Sequence, residues 1–158
     1  MTQIEHISFA QSGDTNVHFI PSLFNDTLKL LFEAHNYFDF EGSAEQELLP
    51  EAQQLVFANE MSRVTMRLTS VMAWLMIRKA LHEGSIDGLE EHIRETYGLE
   101  GQEICLVDTH SHHGFLPEYM VYLLEKSLLL YQRVLRMDEQ ETQPPSWMVH
   151  HSEQLSLM

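Results

Sequence analysis

Apolar residues recur at helical spacing in three long segments of the chain. In the first segment the apolar stripe is formed by Phe24, Leu28, Leu31 and Phe38, and His35 lies on the same stripe. Pro21 and Ser22 precede this stripe and are typical of a helix start. The pattern therefore predicts a first helix over residues 22–38, followed by a link over residues 39–47.

The second segment is the longest stretch of the chain without glycine or proline, from Glu51 to Glu83. Pro50 is suited to the first position of a helix, where its missing N–H costs nothing. The apolar stripe alternates four- and three-residue steps and consists of Phe57, Met61, Val64, Leu68, Val71 and Leu75. Such a seam packs against other helices, so the sequence predicts a long second helix that ends at Gly84.

A third long helix is predicted from Pro117 to about residue 138. Its inward stripe consists of Met120, Leu123, Ser127, Leu130, Val134 and Met137. A short helix is predicted over residues 86–97, and residues 98–116 are predicted to form a connecting loop. Alternation with a period of two does not extend over a convincing length, so the predicted fold is all-α: a three-helix up-down-up bundle with a short extra helix.

The ends of the chain are predicted to be flexible. Residues 1–20 lack a helical period and are predicted to form a loosely ordered arm. Residues 21–138 then form the bundle domain, and residues 139–158 form a polar tail that contains Pro144 and Pro145. Trp147 is an apolar anchor in this tail, which is either a short recognition motif that orders on binding or an ordinary disordered end.

The chain is strongly acidic, with 9 basic and 24 acidic residues and a formal net charge of −15. Such a charge repels nucleic-acid backbones and anionic membrane surfaces, because both bind mainly through Lys and Arg. No run approaches the ~18 apolar residues that span a bilayer. A single cysteine, Cys105, fits a reducing compartment, so we expect a cytoplasmic protein without nucleic-acid or membrane partners.

Candidate chemistry is sparse. His110, His112 and His113 are weak candidates for metal ligands, since a rigid site needs three or four ligands. No phosphate-binding glycine loop or nucleophile signature is present, and Cys105 has no evident activating base in its segment. The sequence therefore predicts a protein that is not an enzyme and that has no cofactor.

The middle helix carries features of an interaction surface. Arg63 and Arg67 are four residues apart and share a face, where they either contact a partner or pair with acidic residues of the first helix. Residues 72–77 are apolar on every side, including Trp74, and a helix that is apolar all round must be covered all round. The cover is either a second copy of the chain or the arm and loop of the same chain.

Three segments together resemble the RcdA family, the alphaproteobacterial regulators of CtrA degradation. The stretch MSRVTMRLTSVMAWLMIRKALHEGSI, residues 61–86, resembles the signature helix of that family. FNDTLKLLFEAHNYFDFEG, residues 24–42, and LPEYMVYLLEKSLLLYQRVLRMD, residues 116–138, resemble its first and last helices. The matching signature positions are Arg63, Arg67, Leu68, Ala73, Trp74, Leu75, Tyr131, Arg133, Val134 and Arg136.

The resemblance implies a non-enzymatic, dimeric three-helix bundle that acts as an adaptor for the protease ClpXP. Its implied partners are ClpX primed by a CpdR-like response regulator and protein cargo such as the cell-cycle regulator CtrA. The protein would then be cytoplasmic and concentrated at the cell pole. The protein-interaction candidates are Arg63, Arg67, Trp74, Arg133, Arg136 and Trp147.

Two alternative functions remain open at the level of the sequence. The first is a small metal-binding or sensory helical protein that uses the histidines of residues 110–113. The second is a plain dimerisation module that self-associates without affinity for an unfoldase complex.

Overall fold

A computed structural model describes residues 14–86, 90–108 and 114–143, without the side chains of residues 14–18 and 91. The helices are α1 (Asp14–Asp39), α2 (Glu41–Glu47), α3 (Glu51–His82), α4 (Glu90–Thr96), α5 (Gln102–Cys105) and α6 (Glu118–Thr142). No strand occurs in these ranges, and the predicted all-α class is confirmed. None of the described helices is long and apolar enough to cross a bilayer.

Proline and glycine set the ends of the two longest helices. Pro50 and Pro117 are the N-caps of α3 and α6, with φ of −56° and −57°. Their fixed φ starts each helix, and the predicted starts are correct to within one residue. After α3 the chain turns at Gly84, whose φ of +66° lies in the left-handed region that favours glycine.

The start of α1 differs from the prediction. The helix begins at Asp14 rather than at residue 22 and contains Pro21 in its interior, so the predicted loose arm does not extend to residue 20. A proline inside a helix removes one backbone hydrogen bond. Ile20 and Leu23, on either side of it, are buried against α3 and α6, and this burial offsets the cost.

The direction of α6 also differs from the prediction. Arg67 near the middle of α3 contacts Leu124, and Arg78 near its end contacts Asp138 and Glu141, so α3 and α6 run parallel. Ring contacts join Tyr37 of α1 to Tyr119 of α6, so α1 runs antiparallel to both. The bundle is therefore up-down-down rather than up-down-up.

The connection between α3 and α6 explains the parallel arrangement. Its residues return along the bundle from the end of α3: Tyr97 accepts a hydrogen bond from Arg78, and Cys105 accepts one from Arg67. Two consecutive long helices that run parallel need a long connection between them. Residues 83–117, which include α4 and α5, form this connection and are called the crossover. The described residues of the predicted loop, 98–108 and 114–116, therefore include α5 and place Leu99, Cys105 and Leu116 in the core.

Two clusters of buried side chains form the core. One lies near the start of α1 and the ends of α3 and α6, and includes Leu23, Trp74 and Val134. The other lies at the opposite end and includes Tyr37, Phe57 and Met120. Both clusters use the inward stripes that the sequence predicts for α3 and α6, because those stripes are the faces that the three long helices share.

Candidate functional site

Arg67 is a buried side chain and not a surface residue. Its guanidinium donates to the carbonyl oxygens of Cys105 at 2.7 Å, Val107 at 2.7 Å and Leu124 at 3.1 Å. It also reaches Ser127 Oγ at 3.4 Å. Burial lowers the pKa of the guanidinium below its ordinary value. Arg67 therefore joins α3, the crossover and α6, and its hydrogen bonds go to the crossover and α6 rather than to α1.

Arg63 is mostly buried and forms an ion pair with Glu60, one turn earlier on α3. Glu60 is itself buried, so the pair lies at the border of the core rather than on an open face. The sequence left open a partner contact or a pair with acidic residues of the first helix, and the ion pair with Glu60 lies within α3. The two arginines share a side of the helix as predicted, but the described contacts do not present them jointly to a partner.

Trp74 is part of a polar network inside the subunit. Its indole N–H donates to Asp138 Oδ1 at 2.7 Å, and the guanidinium of Arg78 lies 4.4 Å from the centre of its ring. Asp138 also accepts hydrogen bonds from Arg78 at 3.1 Å and from the backbone N–H of Leu99 at 3.0 Å. Trp74 is thus buried within the subunit, and a role for it in contacting a partner stays a prediction.

The apolar segment of residues 72–77 is partly covered within the subunit. Trp74 and Leu75 are buried in the core. Met76 is 57% exposed, and Ala73 is exposed beside it. The single subunit therefore leaves one side of this segment open, and cover of that side by a second copy stays a prediction.

Arg133 and Arg136 are exposed on α6. The Arg133 guanidinium lies 5.4 Å from the ring centre of Phe19, and the residue lines an open cleft of about 510 Å³ between α1 and α6. Leu129, which is 61% exposed, lines the same cleft. These two predicted interaction candidates are therefore accessible to a partner.

Cys105 has no features of a reactive thiol. It is fully buried at the end of α5, and burial raises the pKa of its thiol above the ordinary value of 9.0. A thiol is nucleophilic as the thiolate, so these surroundings hold it in the inert form near neutral pH.

The remaining candidates lie outside the described residues: His110, His112 and His113 in the crossover, and Trp147 in the tail. Within the ranges that the structure describes, no group of three or more His, Cys, Asp or Glu side chains is placed to hold a metal ion.

Sequence reasoning missed an exposed apolar surface where α2 meets α3. Leu48 is 86% exposed and Leu55 is 65% exposed. An open groove of about 620 Å³ lies here, lined by Gln46, Glu51, Ala52, Gln54, Leu55 and Ala58. The sequence feature that could have drawn attention to this surface is its acidic surroundings, since residues 30–62 around these leucines contain no Lys or Arg.

A model of the family described as "Protein of unknown function (DUF1465)" matches residues 12–155. No curated protein and no solved structure matches the chain.

Proposed function

We propose that this chain, which belongs to the DUF1465 family, is a non-enzymatic adaptor that promotes the proteolysis of cell-cycle regulators by ClpXP. The cargo class is that of CtrA, and the unfoldase ClpX is primed by a CpdR-like response regulator. The observation that carries the proposal is the resemblance of residues 61–86 to the signature helix of the RcdA family.

The placement of the signature residues supports a role in docking. Arg67, Leu68, Trp74 and Leu75 are buried, and they fix the relative positions of α3, α6 and the crossover. On this frame, large apolar side chains stay exposed on separate surfaces: Leu48 beside α2, Met76 on α3 and Leu129 on α6. A protein that holds two others together needs more than one such surface.

A tether of this kind needs modest contacts. Holding cargo beside the protease through short flexible segments raises its effective concentration to about the millimolar range. Weak binding at each surface therefore suffices to accelerate degradation. The proposal includes a homodimer and concentration at the cell pole, since both accompany the adaptor role in the resemblance.

The test is degradation of CtrA-type cargo by purified ClpXP and CpdR, with and without this protein. We expect faster loss of cargo when the protein is present, with no degradation when ClpXP is omitted. The triple variant H110A/H112A/H113A should accelerate degradation as well as the natural chain does. If no cargo of this class is degraded faster, the adaptor role is rejected, and loss of activity in the triple variant would favour the metal-binding alternative.

A further inference from the structure

The groove between α2 and α3 (the α2–α3 groove, lined by Gln46, Glu51, Ala52, Gln54, Leu55 and Ala58) is open and apolar along one side. Its α3 side presents residues 51, 52, 55 and 58, which follow one face of the helix over two turns. Leu48 lies in the short link between two lining residues, Gln46 and Glu51. Two leucines that are 86% and 65% exposed therefore lie in or beside the groove.

The walls of the groove are held in place by specific contacts. Gln46 Nε2 donates to the carbonyl of Gln54 at 3.0 Å, and Gln54 Nε2 donates to the carbonyl of Leu49 at 2.9 Å. α2 also packs closely against the end of α1, since a Cβ at Gly42 would lie 3.0 Å from the carbonyl oxygen of Tyr37. The exposed leucines are therefore displayed on a fixed surface.

The groove lies in the most one-sided charge environment of the chain. Residues 30–62 contain seven acidic residues and no Lys or Arg. Glu41, Glu47 and Glu51 are exposed, and within the described residues none of them forms an ion pair with Lys or Arg. Unneutralised carboxylates around apolar side chains favour an occupant that is both basic and apolar.

We propose that the α2–α3 groove binds a basic amphipathic helix of a partner protein. An amphipathic helix recognised in a groove places apolar residues at spacings of three and four along one face. Those residues would pack on Leu48 and Leu55, while its Lys and Arg side chains lie near Glu47 and Glu51. The acidic field of the molecule also steers a basic segment toward this end of the bundle.

A second copy of this chain fits the groove poorly. In a two-fold symmetric dimer the same surface patch meets itself, so acidic residues of one copy would face the same acidic residues of its partner. Like charges across an interface oppose association. The charge pattern therefore selects a different protein as the occupant.

The inference rests on the proposed adaptor function for its meaning, since it describes the chemistry of one docking partner. The two are nevertheless separable by experiment. Peptide binding without acceleration of degradation would support the groove as a binding site and reject the adaptor role. Acceleration of degradation without peptide binding would support the adaptor role and reject the groove as a binding site.

The probe is an 18-residue amphipathic helical peptide of Leu and Lys, with a Leu and Glu peptide of the same pattern as its counterpart. Binding to the full chain is followed by fluorescence anisotropy. We expect saturable binding of the Lys peptide and none of the Glu peptide. The double variant L48S/L55S should weaken binding by about tenfold or more, since each leucine loses its burial in the complex.

Two control variants separate the groove from the rest of the surface. F32S/I104S removes two exposed apolar side chains elsewhere, on α1 and α5, and should leave binding unchanged. E47Q/E51Q should weaken binding about threefold to tenfold. E95Q/E139Q changes the net charge equally at the opposite end of the bundle, on α4 and α6, and should have little effect.

The proposal is overturned if E95Q/E139Q weakens binding as much as E47Q/E51Q, because bulk charge alone would then explain the interaction. It is equally overturned if the Lys peptide does not bind saturably or the Glu peptide binds as well. Sedimentation of L48S/L55S gives a further check. A fall in its mass relative to the natural chain would assign the groove to a second copy.

Discussion

At the scale of single residues, Arg67 shows how a buried charge can be satisfied by the backbone. Its donors are aimed at carbonyl oxygens of the crossover and of α6, and the bonds to Cys105 and Leu124 are buried. A buried carbonyl without a donor costs about 1–3 kcal/mol. Arg67 therefore stabilises the protein in part by supplying a donor to the buried carbonyl of Cys105.

Replacing Arg67 with Met should lower the free energy of unfolding by about 3 kcal/mol, because the side chain keeps its bulk but the carbonyls of Cys105 and Val107 lose this donor. Urea denaturation followed by circular dichroism measures the change. Arg136→Met, on the exposed side of α6, is the matched control and should stay within about 0.5 kcal/mol of the natural chain. Equal effects of the two substitutions would contradict the assigned role of Arg67.

Cys105 should react with a soluble aromatic disulfide reagent far more slowly in the folded protein than in urea. Both its burial and the raised pKa of its thiol act in this direction. We expect a rate lower by roughly a hundredfold or more, since reaction requires local opening. Reaction in the folded state at the rate of the unfolded chain would show that the thiol is accessible.

At the scale of helices, Asp138 is the point where three segments meet. Its carboxylate accepts hydrogen bonds from Trp74 on α3, from Arg78 on α3 and from the backbone N–H of Leu99 in the crossover. Arg78 in turn contacts Glu141 at 3.0 Å. The parallel packing of α3 and α6 is therefore fixed at one end by this carboxylate.

Asp138→Ala should cost about 3–5 kcal/mol of stability, the range for removing one partner of a buried charged pair. The loss should be cooperative, because the crossover and both long helices share the group. Glu139→Ala, at the next and exposed position, serves as control. Urea curves for the two variants that coincide would contradict the network.

Two tyrosines attach smaller elements to the bundle. Tyr37 on α1 donates to Glu45 of α2, and Tyr131 on α6 donates to the carbonyl of Glu100 at 2.7 Å. Burial is the main cause that raises the pKa of each phenol above the ordinary value of 10.0. The folded state therefore holds these protons more tightly than the unfolded chain does.

Stability should accordingly fall as the pH rises above the pKa of an unfolded tyrosine. Below that pH both states are protonated and the contribution is intact; above it, unfolding releases protons and is favoured. Urea denaturation at about pH 8 and about pH 11 measures the difference. The difference should shrink in Y37F and in Y131F, and an unchanged difference in both variants would contradict the assignment.

At the scale of the whole molecule, the polar network around Asp138 is buried, whereas several large apolar side chains are exposed. Met76 and Leu129 remain exposed on α3 and α6, and Leu48 on the link beside α2. Single exposed apolar residues are common on protein surfaces, whereas a groove flanked by apolar residues and unneutralised acids is typical of an interaction site. The residues that hold the helices together are therefore different from those of the proposed docking surfaces.

The proposed homodimer predicts a sedimenting mass near twice 18.4 kDa at micromolar concentration. If the open side of residues 72–77 forms the contact, Met76→Glu should shift the mass toward that of one chain. Leu129→Glu, which adds the same charge on α6, is the control. A single-chain mass for the natural protein would reject the dimer.

The sequence by itself determined where the long helices lie, because their period, the prolines before α3 and α6 and the glycine after α3 are local signals. It also indicated which faces of α3 and α6 are buried. For the candidate residues, it placed Arg63 and Arg67 on one side of α3 but gave no sign of what they contact.

The tertiary structure alone decided the direction of α6, the burial of Trp74 and the partners of Arg67. Helical periodicity is the same for either direction of a helix, so it cannot specify whether α6 runs parallel or antiparallel to α3. The groups that satisfy Arg67 are backbone carbonyls, which every residue possesses and no sequence pattern marks. The described residues of the crossover pack against the bundle through these long-range contacts. Such contacts form only when α3 and α6 lie side by side.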